Sequence, residues 1–169
     1  GIAVCRDYHI QMPMQSAFIG WKQEPDDYLE RILGHDRLEK LNPIRTFRDN
    51  GIVVSFGSDA PCTTPDPIAW MDRAVNNGNA GQAVSVQDAL RMCTYNGAWA
   101  AFDERERGSL EAGKIADMAV LTENPYTVPK DKLSCLRVER LYLGGKPYES
   151  CRENILPMML RGLTSRSKA

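Results

Sequence analysis

The sequence predicts an α/β chain in which helix–strand units come first and β-hairpins come last. Three observations predict it. Asn42-Pro43 opens a helix that Gly51 closes, and the apolar run Ile52-Val53-Val54-Ser55-Phe56 follows at once. Such a run reads as a strand covered on both faces, as in a parallel sheet. Beyond residue 105 the character changes: the turn Leu110–Lys114 leads into an apolar stretch, Ile115–Leu121. Finally, Gly144-Gly145 stands between Val138–Leu143 and Lys146–Glu149. Both positions of a two-residue hairpin turn need positive φ, so a Gly pair there is a hairpin signal.

Taken in order, Ile2, Val4, Cys5 and Tyr8 form a weak helical stripe that ends near His9. Residues 11–18 alternate polar and apolar side chains, a short strand in which Pro13 removes one donor. Pro25-Asp26-Asp27 opens a helix through Tyr28, Leu29, Ile32 and Leu33, its early acids suited to the helix dipole. In helix 43–50, with Asn42 as N-cap and Pro43 at the first position, Ile44 and Phe47 face the core beside the stem of Arg48. Strand 52–57 follows, then the proline-rich stretch FGSDAPCTTPDP. A helix from Ile68 to about Val75 precedes the turn-rich Asn76–Gly81. Ser85 with Asp88 reads as a capping box, and Val86, Ala89, Leu90, Cys93, Gly97 and Ala100 form one helical stripe toward Phe102. Trp70 and Trp99, on these helices, are assigned to core packing, and Asp117 to a structural role. The division is 1–105 for the α/β units, 106–150 for the later strands and 151–169 for a tail, polar and loose from Arg161 onward.

Composition narrows the function. With 169 residues the chain has about one domain's worth of core. Its 21 basic and 22 acidic residues give no net field that would draw nucleic acid or an anionic membrane. No apolar stretch reaches the ~20 residues of a membrane helix, and no Gly-rich phosphate loop is present. The first residues carry no secretory pattern. Five scattered cysteines, an odd number, fit reduced thiols and a cytoplasmic setting better than a disulfide framework. The chain starts at Gly1, already inside a helical pattern, which suggests a trimmed or partial polypeptide.

Asp59 poses the chemical question, because it stands where strand 52–57 leaves the core. The residues alone leave two readings open. Either a turn-forming Asp bonds nearby backbone N–H groups, or the strand presents a carboxylate at the mouth of a site. Ser58, Cys62 and Gln15 (with Ser16 beside it) stand at the same strand ends and are candidate substrate contacts. A nucleophilic role for Cys62 lacks a histidine base.

FGSDAP at a strand end, then VQDALRMCTYNGAWAAF, then GSLEAGKIADMAVL, together resemble the C-terminal signature of the amidohydrolase superfamily of metal-dependent hydrolases. The likeness is nearest the branch whose last barrel strand carries GSD with a proline soon after. It covers residues 43–148 well and residues 10–19 more weakly, and the GSLEAGK-I-AD string is its most specific part. The resemblance implies the C-terminal part of a (β/α)₈ TIM-like barrel followed by strands of a small β-sandwich, with catalytic groups at the C-terminal ends of the strands. It implies that Asp59 is the eighth-strand aspartate, a metal ligand or the acceptor of a proton from metal-bound water. The activity implied is hydrolysis of a C–N bond, in an amide or cyclic amide of a small molecule, with a divalent metal, zinc first among the choices.

The departures from that pattern carry equal weight. The family's first-strand His-x-His pair, its fourth-strand Lys or acid, and the histidines of strands five and six have no counterparts here. His9 and His35 occupy no ligand position. One carboxylate falls short of the three or four ligands of a stable site. The expectation is therefore a chain that forms part of a longer enzyme, holds no metal and has no activity alone. It would be completed by the missing N-terminal barrel portion or by another copy. The alternative is a non-catalytic fragment or assembly module. Asp59 is expected to end a buried strand and aim its carboxylate at the open end of the sheet.

Overall fold

The computed structural model describes residues 1–148; the predicted tail 151–169 and Glu149 of the hairpin lie outside the described residues. Helix α1 (Ile2–Asp7) leads into strand β1 (Met12–Met14), and helices α2 (Asp26–Leu33), α3 (His35–Leu38) and α4 (Ile44–Asp49) precede strand β2 (Val54–Phe56). Helices α5 (Pro67–Val75), α6 (Val86–Cys93) and α7 (Tyr95–Ala100) follow, then strands β3 (Met118–Leu121), β4 (Val138–Leu143) and β5 (Lys146–Pro147). Strands β1 and β2 pair in parallel, Met12 opposite Val54 and Met14 opposite Phe56. Strands β3, β4 and β5 form a separate antiparallel sheet in that order. Helix–strand units thus precede hairpins, as the pattern predicts.

Several elements are shorter than predicted, each for a local reason. The strand expected over 11–18 stops at Met14 and gives way to a 3₁₀ turn, Ser16–Phe18. There Ser16 is 1% exposed, and its hydroxyl donates to the Trp70 carbonyl at 2.9 Å. Strand 52–57 contracts to β2 because the Ile52 N–H bonds back to Phe47 O at 3.0 Å, closing the end of α4. Asn42 is not the N-cap of α4. It sits at φ 50°, Pro43 takes the cap position, and no side chain bonds there. The helix expected over 86–102 breaks at Thr94 (φ −124°, ψ −91°), whose hydroxyl reaches back to Leu90 O at 2.8 Å. A Ser or Thr that bonds the preceding turn weakens helical continuity. The first strand of the later sheet begins at Met118, because a tight turn bonds the Asp117 N–H to Ile115 O. His35 opens α3 and lies 3.0 Å from Glu30.

The core forms between the parallel pair and its helices. Ile44, Val54, Met71, Ala74, Ala89 and Met92 are nearly sealed from solvent. Leu133 and Leu136, from the 3₁₀ segment Lys130–Cys135 and its cap, join the same cluster against α5. Trp70 and Trp99, assigned to the core from sequence, are half-buried. The Trp70 indole N–H donates to Thr64 O at 3.3 Å.

The capping box at α6 is present as predicted: Ser85 Oγ accepts from Asp88 N, and Asp88 bonds the Ser85 backbone. Asp88 also pairs with Arg48, which ties α6 to α4. Partial burial works against the Asp88 anion, but the Ser85 hydroxyl and the Arg48 guanidinium outweigh it and hold its pKa below the usual carboxylate range. A depressed folded-state pKa contributes stability above the unfolded value and loses it as pH falls through the folded one. Asp88→Asn is therefore expected to cost about 1–2 kcal/mol at pH 7. Urea titrations should show the gap from the parent chain closing as pH drops below about 4.

Phe102 follows α7 at φ 60° and is 90% exposed. A left-handed L-residue costs roughly 1–2 kcal/mol that glycine avoids, and this side chain has almost no packing to lose. Phe102→Gly is expected to raise the midpoint of thermal unfolding, by a stabilisation of about 1 kcal/mol. A lowered midpoint would contradict the strain.

Candidate functional site

The parallel pair brings two strand ends together. Gly57 donates its N–H to Met14 O at 3.0 Å, so Gln15 and the Gly57-Ser58-Asp59 segment leave the sheet side by side. The turn that follows is held by its neighbours. Ser58 Oγ accepts from Ala60 N at 3.1 Å, the Thr63 hydroxyl donates to Ser58 O, and Cys62 N donates to Asp59 O at 2.9 Å. Asp66 then caps α5 by accepting from Ile68 N and Ala69 N.

Asp59 itself sits at φ 54°, a left-handed conformation that Asp tolerates better than most residues. Its carboxylate takes no hydrogen bond among the described residues, and it is exposed. The local turn-forming work belongs to Ser58. Cys62 is exposed as well, Gln15 and Ser58 are half-buried, and Ser16 is buried with its hydroxyl already committed to Trp70. The strand ends therefore gather Gln15, Ser58 and Asp59 at one end of the sheet, whereas Ser16 faces inward.

A cavity lies elsewhere. About 360 Å³ opens at the N-terminal end of β2, among Arg48, Ile52, Val53, Tyr95, Asn96 and Trp99, and Asp59 is not part of its wall. Arg91, also on this wall, stacks 4.3 Å from the Tyr95 ring centroid. Asn96 Nδ2 donates to Val54 O at 2.7 Å. Sequence reading missed this group because its members come from α4, the segment before β2, α6 and α7, with no shared spacing. Among the described residues no cluster of three or more His, Cys, Asp or Glu side chains is placed to hold a metal ion.

The GSLEAGKIAD string is a clamp. Asp117 pairs with Arg107 and accepts from Gly144 N at 2.8 Å, in the turn joining β4 to β5. Lys114 Nζ donates to Glu104 O and Ser109 Oγ, both at 2.6 Å. Gly108, at φ 86°, packs so closely that an added Cβ would meet Ala98 Cβ at 2.7 Å and Tyr95 Cα at 3.0 Å. The residue types of this string are those a closely approaching, hydrogen-bonded junction needs.

The family model described as the Amidohydrolase family matches residues 6–148. The chain belongs to that family. It is 37% identical over 132 residues to the N-substituted formamide deformylase of Arthrobacter pascens, a match covering 74% of this chain and 22% of the relative. It is 33% identical over 98 residues to the 5-methylthioadenosine/S-adenosylhomocysteine deaminase of Caldanaerobacter subterraneus, covering 54% of this chain and 23% of that one. Among solved structures, an uncharacterized metal-dependent hydrolase from Pyrococcus horikoshii superposes with a TM-score of 0.63 at 22% identity, over 77% of this chain and 28% of that chain. An adenosine deaminase from Xanthomonas campestris with bound zinc superposes at 0.53 with 19% identity, over 75% of this chain and 33% of that one. The mixed α/β fold is thus that of metal-dependent hydrolase structures, and the chain spans between a fifth and a quarter of the length of these curated relatives.

The described thiols differ in exposure. Cys5, Cys62, Cys93 and Cys135 are free, and burial pushes the Cys93 thiol up to about 12. Only the thiolate reacts readily. Under native conditions at pH 8, maleimide labelling followed by peptide mapping should modify the exposed Cys62 and Cys135 first and Cys93 last. Early labelling of Cys93 would show that its pocket opens.

Proposed function

We propose that this chain is the C-terminal part of a (β/α)₈ barrel in a longer amidohydrolase, with residues 1–105 supplying its last α/β units. Residues 106–150 supply strands of the adjoining β-sandwich. The complete enzyme hydrolyses a C–N bond of a small amide or cyclic amide. Family membership supports the reaction class, and the deformylase and deaminase relatives act, by their names, on C–N bonds. Free cysteines throughout the described residues suit a reducing, cytoplasmic compartment.

The observation that carries the reading is the idle carboxylate of Asp59. It stands at the C-terminal end of a parallel strand, where barrel enzymes place their chemistry. Ser58 has relieved it of any turn-making bond. In amide hydrolysis it takes a proton from the attacking water and returns it to the departing nitrogen, which leaves poorly as an anion. Gln15, Ser58 and Cys62, at the same strand ends, are proposed to contact the substrate.

The described residues do not by themselves fit a metal centre. Asp59 is one donor, and a stable site takes three or four. A divalent metal, zinc for preference, belongs to this proposal only for the complete enzyme, where Asp59 would be one of several ligands. The 169-residue chain alone is proposed to be inactive.

Replacing Asp59 with Asn in the full-length enzyme tests the assignment. Loss of a general acid–base group is expected to lower kcat by about 10²–10⁴, with the unfolding midpoint unchanged because the side chain holds nothing in place. Retention of full activity would end the claim for Asp59.

A further inference from the structure

Two loops leave the parallel pair at the end that carries Asp59, and helix α5 bonds to both. The loop after β2 is bonded mainly to itself. The Thr63 hydroxyl donates to Ser58 O, and Cys62 N donates to Asp59 O at 2.9 Å. These bonds shape the turn around Asp59 without fixing where the turn sits. Two other links do that. Before the turn, Gly57 N donates to Met14 O at 3.0 Å; after it, Trp70 Nε1 donates to Thr64 O at 3.3 Å. Among the described residues, Trp70 is the one side chain outside residues 58–66 that bonds this loop.

Trp70 also serves the loop after β1. Its carbonyl accepts the Ser16 hydroxyl at 2.9 Å, and the buried Ser16 begins the 3₁₀ turn that follows Gln15. The bonds therefore close a ring. It runs from Met14 O to Gly57 N, through the turn to Thr64 O, across the Trp70 indole, and from Trp70 O to Ser16 Oγ. Gln15 completes the path back to Met14, so Gln15 and Asp59 are members of one closed circuit. Core packing, the role assigned to Trp70 from sequence, needs its ring but not its N–H.

We infer that Trp70 is a positioning residue for the reaction, fixing the Asp59 turn relative to Gln15 through Thr64 and Ser16. The inference rests on the reading that Asp59 moves the proton. Proton transfer requires an approach within hydrogen-bond reach, and a misplacement of about 1 Å can cost about 100-fold in rate. A turn whose own bonds are local can pivot as a body at Gly57. The indole bond to Thr64 O stops that pivot.

The test uses the full-length enzyme and one small amide as substrate throughout. Trp70→Phe keeps an aromatic ring in place and removes the N–H. It is expected to lower kcat about tenfold or more with KM held within about twofold, the split left by an interaction that counts only in the transition state. In an Asp59→Asn background the same substitution is expected to cost nothing further, because residues that act as one unit are not additive. Hydrogen–deuterium exchange at the Cys62 and Asp66 amides is expected to quicken about tenfold, as the turn opens more often. Ser16→Ala breaks the ring at its other link and is expected to reproduce the kcat loss and its disappearance beside Asp59→Asn; it carries the same test should the Phe variant fail to fold. Full kcat in both variants, with Asp59→Asn impaired, overturns the positioning role and leaves the functional reading standing. A Trp70→Phe loss that persists undiminished beside Asp59→Asn overturns it as well, since Trp70 then acts on something other than Asp59. Full activity in Asp59→Asn removes the functional reading itself, and the inference with it.

Discussion

The α/β layer depends on the burial of Val54. Its side chain sits in the cluster with Ile44, Met71, Ala89 and Met92, and its carbonyl is taken by Asn96 of α7. One residue therefore joins the sheet to the helices by packing and by hydrogen bonding together. Strand β2 is only three residues long, too short to hold its direction by ladder bonds alone. Its aim, and with it the place where Gly57-Ser58-Asp59 emerges, comes from the helices packed behind it.

The residues that reveal the family and the residues proposed to do its chemistry are different sets. Gly108, Lys114 and Asp117 are committed to neighbours: Gly108 by close approach to α7, Lys114 to Glu104 and Ser109, Asp117 to Arg107 and Gly144. Their spacing is demanding because a short segment must meet the end of α7 and the β4–β5 turn at once. Asp59 makes no such commitments. A long string can thus be specific for a fold while a single acid carries the reaction.

What could be read from sequence follows the range of the interaction. The Ser85–Asp88 box, the Gly144-Gly145 turn and the apolar run before Asp59 are each decided within a few residues, and each appears where expected. The break at Thr94 was hidden because Gly97 and Ala100 continue the apolar stripe across it, and periodicity does not register a hydroxyl bonded to Leu90. Leu133 and Leu136 form no periodic stripe, yet they are among the most deeply buried side chains, since their partners lie on α5, far back in the chain. The cavity around Arg91 and Asn96 was invisible for the same reason. The strand-end positions of Gln15, Ser58 and Asp59 were legible; their surroundings, which depend on pairing between residues about forty apart, were not.

Pro13 has a consequence for how the protein behaves in solution. It lies in β1 between Met12 and Met14, whose backbone groups serve β2, so its own nitrogen faces the opposite side of the sheet with no hydrogen to give. Any strand laid along that side keeps one carbonyl that must find water or a side chain instead. A stray chain gains less by adding there than it would on an uninterrupted edge. The proline thus makes the side of the sheet away from β2 a poorer template for an added strand.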